Sequence, residues 1–116
     1  MALALENYRF ILRAGPIWAS LHADPALHTR YLALLRERDR GPQISMRLLT
    51  AYCGAEQRLG RIRAGIAPES IADTVMAIAH FVASLESNLG DMVIPAGQGE
   101  ARVRNMVAVV LQGILP

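Results

Sequence analysis

Apolar residues along this chain recur three and four positions apart, the spacing that lines one face of an α-helix. Proline and glycine cut the pattern into five stretches. The first runs from Ala2 to His22, with Tyr8, Ile11, Leu12, Trp18 and Leu21 at helical spacing. Gly15-Pro16 interrupts it, and a proline that cannot donate a backbone hydrogen bond predicts a kink or break there. Asp24-Pro25 reads as an N-cap followed by proline in a first helical turn. The second stretch continues through Tyr31, Leu32, Leu34 and Leu35 toward Arg40, and Gly41-Pro42 ends it. The third spans Gln43 to Arg63, with Ile44, Leu48, Leu49, Tyr52, Cys53, Leu59 and Ile62 inward.

The fourth stretch, Pro68 to Leu89, is the most apolar around its circumference. Pro68 and Glu69 suit a first turn, and Gly90 suits the residue just past the end. Asp73, His80, Ser84 and Ser87 form one narrow polar stripe, and the apolar arc fills most of the rest. An ordinary surface helix buries a stripe roughly 100° wide. One small core cannot cover a much wider arc, so the pattern predicts a second apolar partner. A loop with Pro95, Gly97 and Gly99 leads to the last stretch, Glu100 to Leu115. Its apolar face holds Val103, Met106, Val107, Val110, Leu111 and Ile114. Val107-Ala108-Val109-Val110 has strand character, but the 3–4 spacing across the whole stretch favours a helix. The expected fold is all-α: a bundle of about five helices in a single domain over residues 1–116, its last two long helices available for a dimer interface.

Composition narrows the function classes. Hydrophobic residues are 53% and charged residues 19% of the chain, the reverse of a disordered composition. All basic residues are Arg, and the net charge is only +2. The densest charge run, Arg36-Glu37-Arg38-Asp39-Arg40, alternates in sign and reads as a solvated helix face rather than a nucleic-acid stripe. A single cysteine, Cys53, excludes an intrachain disulfide and points to a small buried hydrophobe. No apolar run reaches the roughly 18 residues of a membrane span, and the N-terminal residues lack a signal peptide's basic start. A cytoplasmic setting is therefore expected.

Catalytic signatures are missing. Gly97-Gln98-Gly99 follows no strand and has no lysine, so it is no phosphate loop. His22, His28 and His80 lack the spacing of metal ligands, and neither a metal nor a cofactor is expected. Only Glu86 and His80 offer acid or base candidates, and an enzyme is not the expected reading. Glu86 falls near the middle of an apolar arc. It is either exposed near the helix end, or paired with Arg102 or Arg104 of the same or another chain. Bulky or soft residues on several helices have two readings, a packed core or a pocket between helices. The pocket reading assigns ligand contact to Tyr8, Ile11, Trp18, Met46, Leu49, Tyr52, Cys53, Met76 and His80.

The order of these pieces resembles one family. An aromatic-bearing first helix meets the Asp24-Pro25 turn. A long helix ends in Leu59-Gly60-Arg61-Ile62-Arg63-Ala64-Gly65-Ile66-Ala67-Pro68-Glu69. A long apolar helix, a Gly/Pro loop and a closing segment from Arg102 to Gly113-Ile114-Leu115-Pro116 follow. This is similar to the C-terminal regulatory domain of tetracycline-repressor (TetR) family transcriptional regulators. The resemblance implies a small, mostly apolar effector held between helices. It also implies a homodimer whose last two long helices pack on their mates as a four-helix bundle. Mapped here, that interface uses Ile71, Val75, Ile78, Val82, Leu85, Glu86 and Leu89 with Val103, Val107, Val110, Leu111 and Ile114. Family members read DNA with an N-terminal helix-turn-helix domain that has no counterpart in these residues, so no operator binding by this chain is expected. The competing expectation is a helical protein–protein adaptor without a ligand.

Overall fold

The computed structural model describes residues 1–116, the side chain of Pro42 excepted. Five α-helices form: α1 Ala2–Ala23, α2 Pro25–Glu37, α3 Pro42–Arg58, α4 Pro68–Leu89 and α5 Gly99–Ile114, with one 3-10 turn at Gly90–Met92. No strand occurs among the described residues, and Val107–Val110 lies within α5. Among the described residues no helix is long and apolar enough to cross a membrane.

Local chemistry sets the boundaries. The Asp24 carboxylate accepts from the Leu27 amide at 3.1 Å, with Pro25 in the first turn of α2, as the sequence implies. α2 stops earlier than expected because Asp39 turns left-handed at φ 48°. The Arg40 amide then bonds the Leu35 carbonyl (2.9 Å) and the Asp39 amide the Arg36 carbonyl (3.2 Å). α3 ends the same way at Gly60, φ 75°, where the Arg61 amide reaches Glu56 at 2.9 Å and the Gly60 amide reaches Gln57 at 3.0 Å. These paired bonds satisfy carbonyls that the helix end would leave open. The sequence reading carried this helix on to Arg63; Gly60 is the stop it passed over. Conversely, α1 runs through Gly15-Pro16 without ending. Pro16 is exposed, its ring needs no room in the core, and Ala14 and Leu21 are buried on either side of it.

α4 is the central helix, packed by α1, α3 and α5, and α5 also meets α1. It buries Ile71, Val75, Ile78 and Val82 on one stripe and Ala72, Met76, Ala79 and Ala83 on the next. At 100° per residue these positions span about 160°. The wide apolar arc is therefore covered within one chain, by three neighbours. Breadth of this arc does not require a second copy, which corrects the sequence argument. α2 is the opposite case. None of its residues is buried, and its main packing partner is α1.

The result is a slab, 46 × 39 × 18 Å along its principal axes, with a radius of gyration of 15.9 Å. A compact chain of this length has a radius of gyration near 13 Å. Its accessible surface is 7,558 Å². A compact 12.6 kDa monomer exposes about 6,200 Å². More than a thousand square ångströms of extra surface is comparable to one side of a standard protein interface, about 800 Å².

Candidate functional site

The slab has a cleft between α1 and α4, with a second part beside α2. One part, about 830 Å³, lies between Leu12, Gly15 and Ala19 of α1 and Ala83, Ser84 and Ser87 of α4. A second part, about 350 Å³, lies between α1 and α2, reaching the start of α3. Ile11, Trp18 and His80 line both. The small residues Gly15, Ala19 and Ala83 keep the walls low, which is why a cleft persists where larger side chains would interlock.

Aromatic rings join α1 to α2. Trp18 meets Tyr31 edge to face, with centroids 5.8 Å apart, and His28 likewise at 6.4 Å. His22 meets His28 at 5.7 Å. Rings in this geometry attract through their quadrupoles beyond simple burial. The two histidines that flank the Asp24-Pro25 turn thus belong to a clasp around the sole tryptophan. Among the described residues, no three His, Cys, Asp or Glu side chains gather as metal ligands would.

A polar seam lies elsewhere, inside the α1–α4–α5 contact. Tyr8, only 3% exposed, donates its hydroxyl to the Glu86 carboxylate at 2.5 Å. Burial, and then the bond to Glu86, push the Tyr8 phenol well above its ordinary range, so it stays protonated. Gly99, the first residue of α5, lies against both groups. A Cβ there would collide with the Tyr8 hydroxyl and stand 2.6 Å from Glu86 Oε1. The carboxylate therefore sits at a helix N-terminus, where the dipole favours negative charge. Within this chain neither Arg102 nor Arg104 is its partner, so the intrachain pairing, one of the options the sequence left open, does not form. Arg102 reaches the Val93 carbonyl at 3.4 Å, and Arg104 faces Glu100 at 3.7 Å. Glu100 is held chiefly by Arg9, at 2.7 Å, and that bond lowers its carboxyl below the usual range.

The expected ligand-contact residues divide four ways. Ile11, Trp18 and His80 line the cleft. Tyr8, Leu49, Cys53 and Met76 are buried in the core and line neither part of it. Met46 borders a separate open dish with Arg47, Thr50, Glu69 and Asp73. Tyr52 points outward, 60% exposed. With Leu48, and with Leu59 just past the helix end, it forms an exposed stripe about 100° around α3 from the Leu49 and Cys53 face that packs on the core. Burial also raises the Cys53 thiol above its ordinary range.

The expected interface residues also differ in burial within this chain. Ile71, Val75, Ile78, Val82, Val103, Val107 and Ile114 are buried by this chain's own helices, each 8% exposed or less. Leu85, Glu86 and Val110 are half-buried. Leu89 and Leu111 are exposed, together with Phe81 and Val109, which the expected interface did not include. Sequence reasoning also missed Asn7, Tyr31 and Leu12. Asn7 shares a stripe with Ile11, Ala14 and Trp18, at intervals of four, three and four, and that spacing was the available signal. No family model, no curated protein and no solved structure matches this chain.

Proposed function

We propose that this chain is an effector-sensing and self-associating domain of the kind that TetR-like transcriptional regulators carry, working in the cytoplasm. It holds a small apolar molecule between α1, α2 and α4. The observation that carries this reading is the cleft, in which Ile11, Trp18 and His80 are shared by its two parts. Small-molecule sites are largely apolar hollows of roughly 300–1,000 Å³ with few polar groups, and both parts of the cleft fall within that range. The excess surface, with Phe81, Leu89, Val109 and Leu111 exposed on α4 and α5, supports self-association. Effector control requires two states that bind the effector unequally. Attachment of α2 chiefly through α1 supplies an element able to differ between them. DNA would be reached only through a separate helix-turn-helix.

Trp18 is the only tryptophan and therefore the natural reporter. Titration with the apolar dye N-phenyl-1-naphthylamine should quench its fluorescence saturably. Ser84→Phe, an exposed change that fills the cleft, should weaken the quenching at least about tenfold. Quenching that never saturates, or that Ser84→Phe leaves alone, rejects ligand binding here. Sedimentation at micromolar concentration tests self-association, and a clean monomer rejects that half of the proposal.

One observation favours a second reading, a helical adaptor. Leu48, Tyr52 and Leu59 on the α3 stripe are 62%, 60% and 64% exposed, as an apolar anchor row for a partner groove would be. An adaptor would retain no dye in the cleft.

A further inference from the structure

The larger part of the cleft has two unlike walls. On α1 the wall is apolar, made by Ile11, Leu12, Pro16, Trp18 and Ala19, with His22 at its end. On α4 it is a polar row, His80, Ser84, Ser87 and Asn88, interrupted only by Ala83. Positions four, seven and eight apart share one face of a helix, so the row runs about 12 Å along α4. Ser84 and Ser87 are exposed, and two contacts orient their hydroxyls. Ser87 Oγ points at α1, 3.8 Å from where a side chain on Gly15 would begin. Ser84 Oγ accepts from Asn88 Nδ2 at 3.1 Å, which leaves its own proton to donate.

Charge decides what such a row recognises. Charged residues are 19% of the chain, yet no Arg, Asp or Glu lines this space. Its ionisable groups are the imidazoles of His22 and His80. The smaller part differs, because Glu6 lines it beside Asn7 and Ser45, with His80 shared between the two. In the larger part an anion would meet no permanent cation, and a cation would meet no carboxylate. Either would give up water without a fixed counter-charge. A hydroxyl suits serine and asparagine, which both donate and accept, and it suits imidazole in either protonation state. A bare hydrocarbon would cover the row and leave its groups unpaired. We propose that the larger part of the cleft binds a neutral, largely apolar molecule that carries a hydroxyl, its apolar body on α1 and its hydroxyl bonded to Ser84 and Ser87 of α4. This rests on the effector-binding reading above and adds the ligand's chemical class to it.

Three probes share one ring system: naphthalene, 2-naphthol and 2-naphthoate. Equilibrium dialysis against the full chain at pH 8 gives the affinity for each. Wild type should bind 2-naphthol more tightly than either of the others. Replacing both serines (Ser84→Ala with Ser87→Ala) should leave naphthalene binding within about twofold. It should lower the naphthol-to-naphthalene affinity ratio by about fivefold or more, the fold-change of one neutral hydrogen bond. Each single substitution should lower the ratio in the same direction, which keeps the test decisive if the double variant fails to fold. A ratio that the substitutions leave unchanged, or 2-naphthol binding no more tightly than naphthalene or 2-naphthoate, overturns this inference and leaves the cleft's ligand-binding role standing. Failure of the wild-type chain to bind any of the three overturns both.

Discussion

Gly99→Ala is the smallest change that tests the seam joining three helices. Gly99 has no positive φ, so its lack of a side chain, not its backbone freedom, matters here. An added methyl would overlap the Tyr8 hydroxyl, approach Tyr8 Cζ to 2.9 Å and stand 2.6 Å from Glu86 Oε1. The phenol is rigid and 3% exposed, so it cannot simply swing into solvent. Relief comes by shifting α5 away from α1 or by breaking the Tyr8–Glu86 bond. Losing a hydrogen bond to a charged acceptor costs about 1.5–3 kcal/mol, and overpacking costs about 1–3 kcal/mol. The two are alternatives as much as additions, and alanine's better helix propensity returns a few tenths at a first-turn position. A net loss of about 2–4 kcal/mol follows. Unfolding entropy near 2.1 cal/mol/K per residue gives a chain this long about 4 °C per kcal/mol, so the melting temperature should fall by about 8–16 °C. Thermal melts by circular dichroism read this directly. Tyr8→Phe alone should also destabilise, by about 1–3 kcal/mol, because Glu86 loses its donor. In combination the two should cost clearly less than their sum, since removing the hydroxyl makes room for the methyl. A Gly99→Ala melt within 2 °C of wild type, or strict additivity, would refute the proposed geometry.

Three further outcomes follow from the same coordinates. The raised Tyr8 phenol binds its proton more tightly folded than unfolded, so its contribution is complete below the ordinary value of 10.0 and is lost as pH rises beyond it. Melting temperature should therefore drop above pH 10, and Tyr8→Phe should flatten that drop; equal drops in both proteins would contradict the assignment. α2 buries no residue, so its amides should exchange with deuterium faster than those of α4 between Ile71 and Ala83, and equal protection in a mass-spectrometric exchange experiment would contradict its attachment chiefly through α1. Cys53 is buried with its thiol raised, so Ellman's reagent should label it at pH 8 only slowly until denaturant is added. Immediate labelling of the native chain would place the thiol outside the core.

Helix number and most boundaries were readable because they rest on local chemistry: Asp24-Pro25 at the start of α2, Pro68 and Gly90 around α4. The seam was half readable. Glu86 stands out on an apolar arc, but its partner lies 78 residues away on α1, where periodicity says nothing of contact. The outward turn of Leu48, Tyr52 and Leu59 was hidden for a related reason. Apolar residues surround so much of α3 that spacing alone does not choose which stripe meets α4. The breadth of the α4 arc misled in the other direction, because a helix with three neighbours and a helix at a dimer interface carry the same pattern.

An element that shares so little with its host is free to vary. Substitutions across residues 25–37 change what the aromatic clasp and the floor of the hollow present, while the Ile71-to-Ala83 pillar keeps its packing. On the ligand-binding function proposed above, selectivity can then drift, or be redesigned by exchanging that one segment, without renegotiating the stability of everything beneath it.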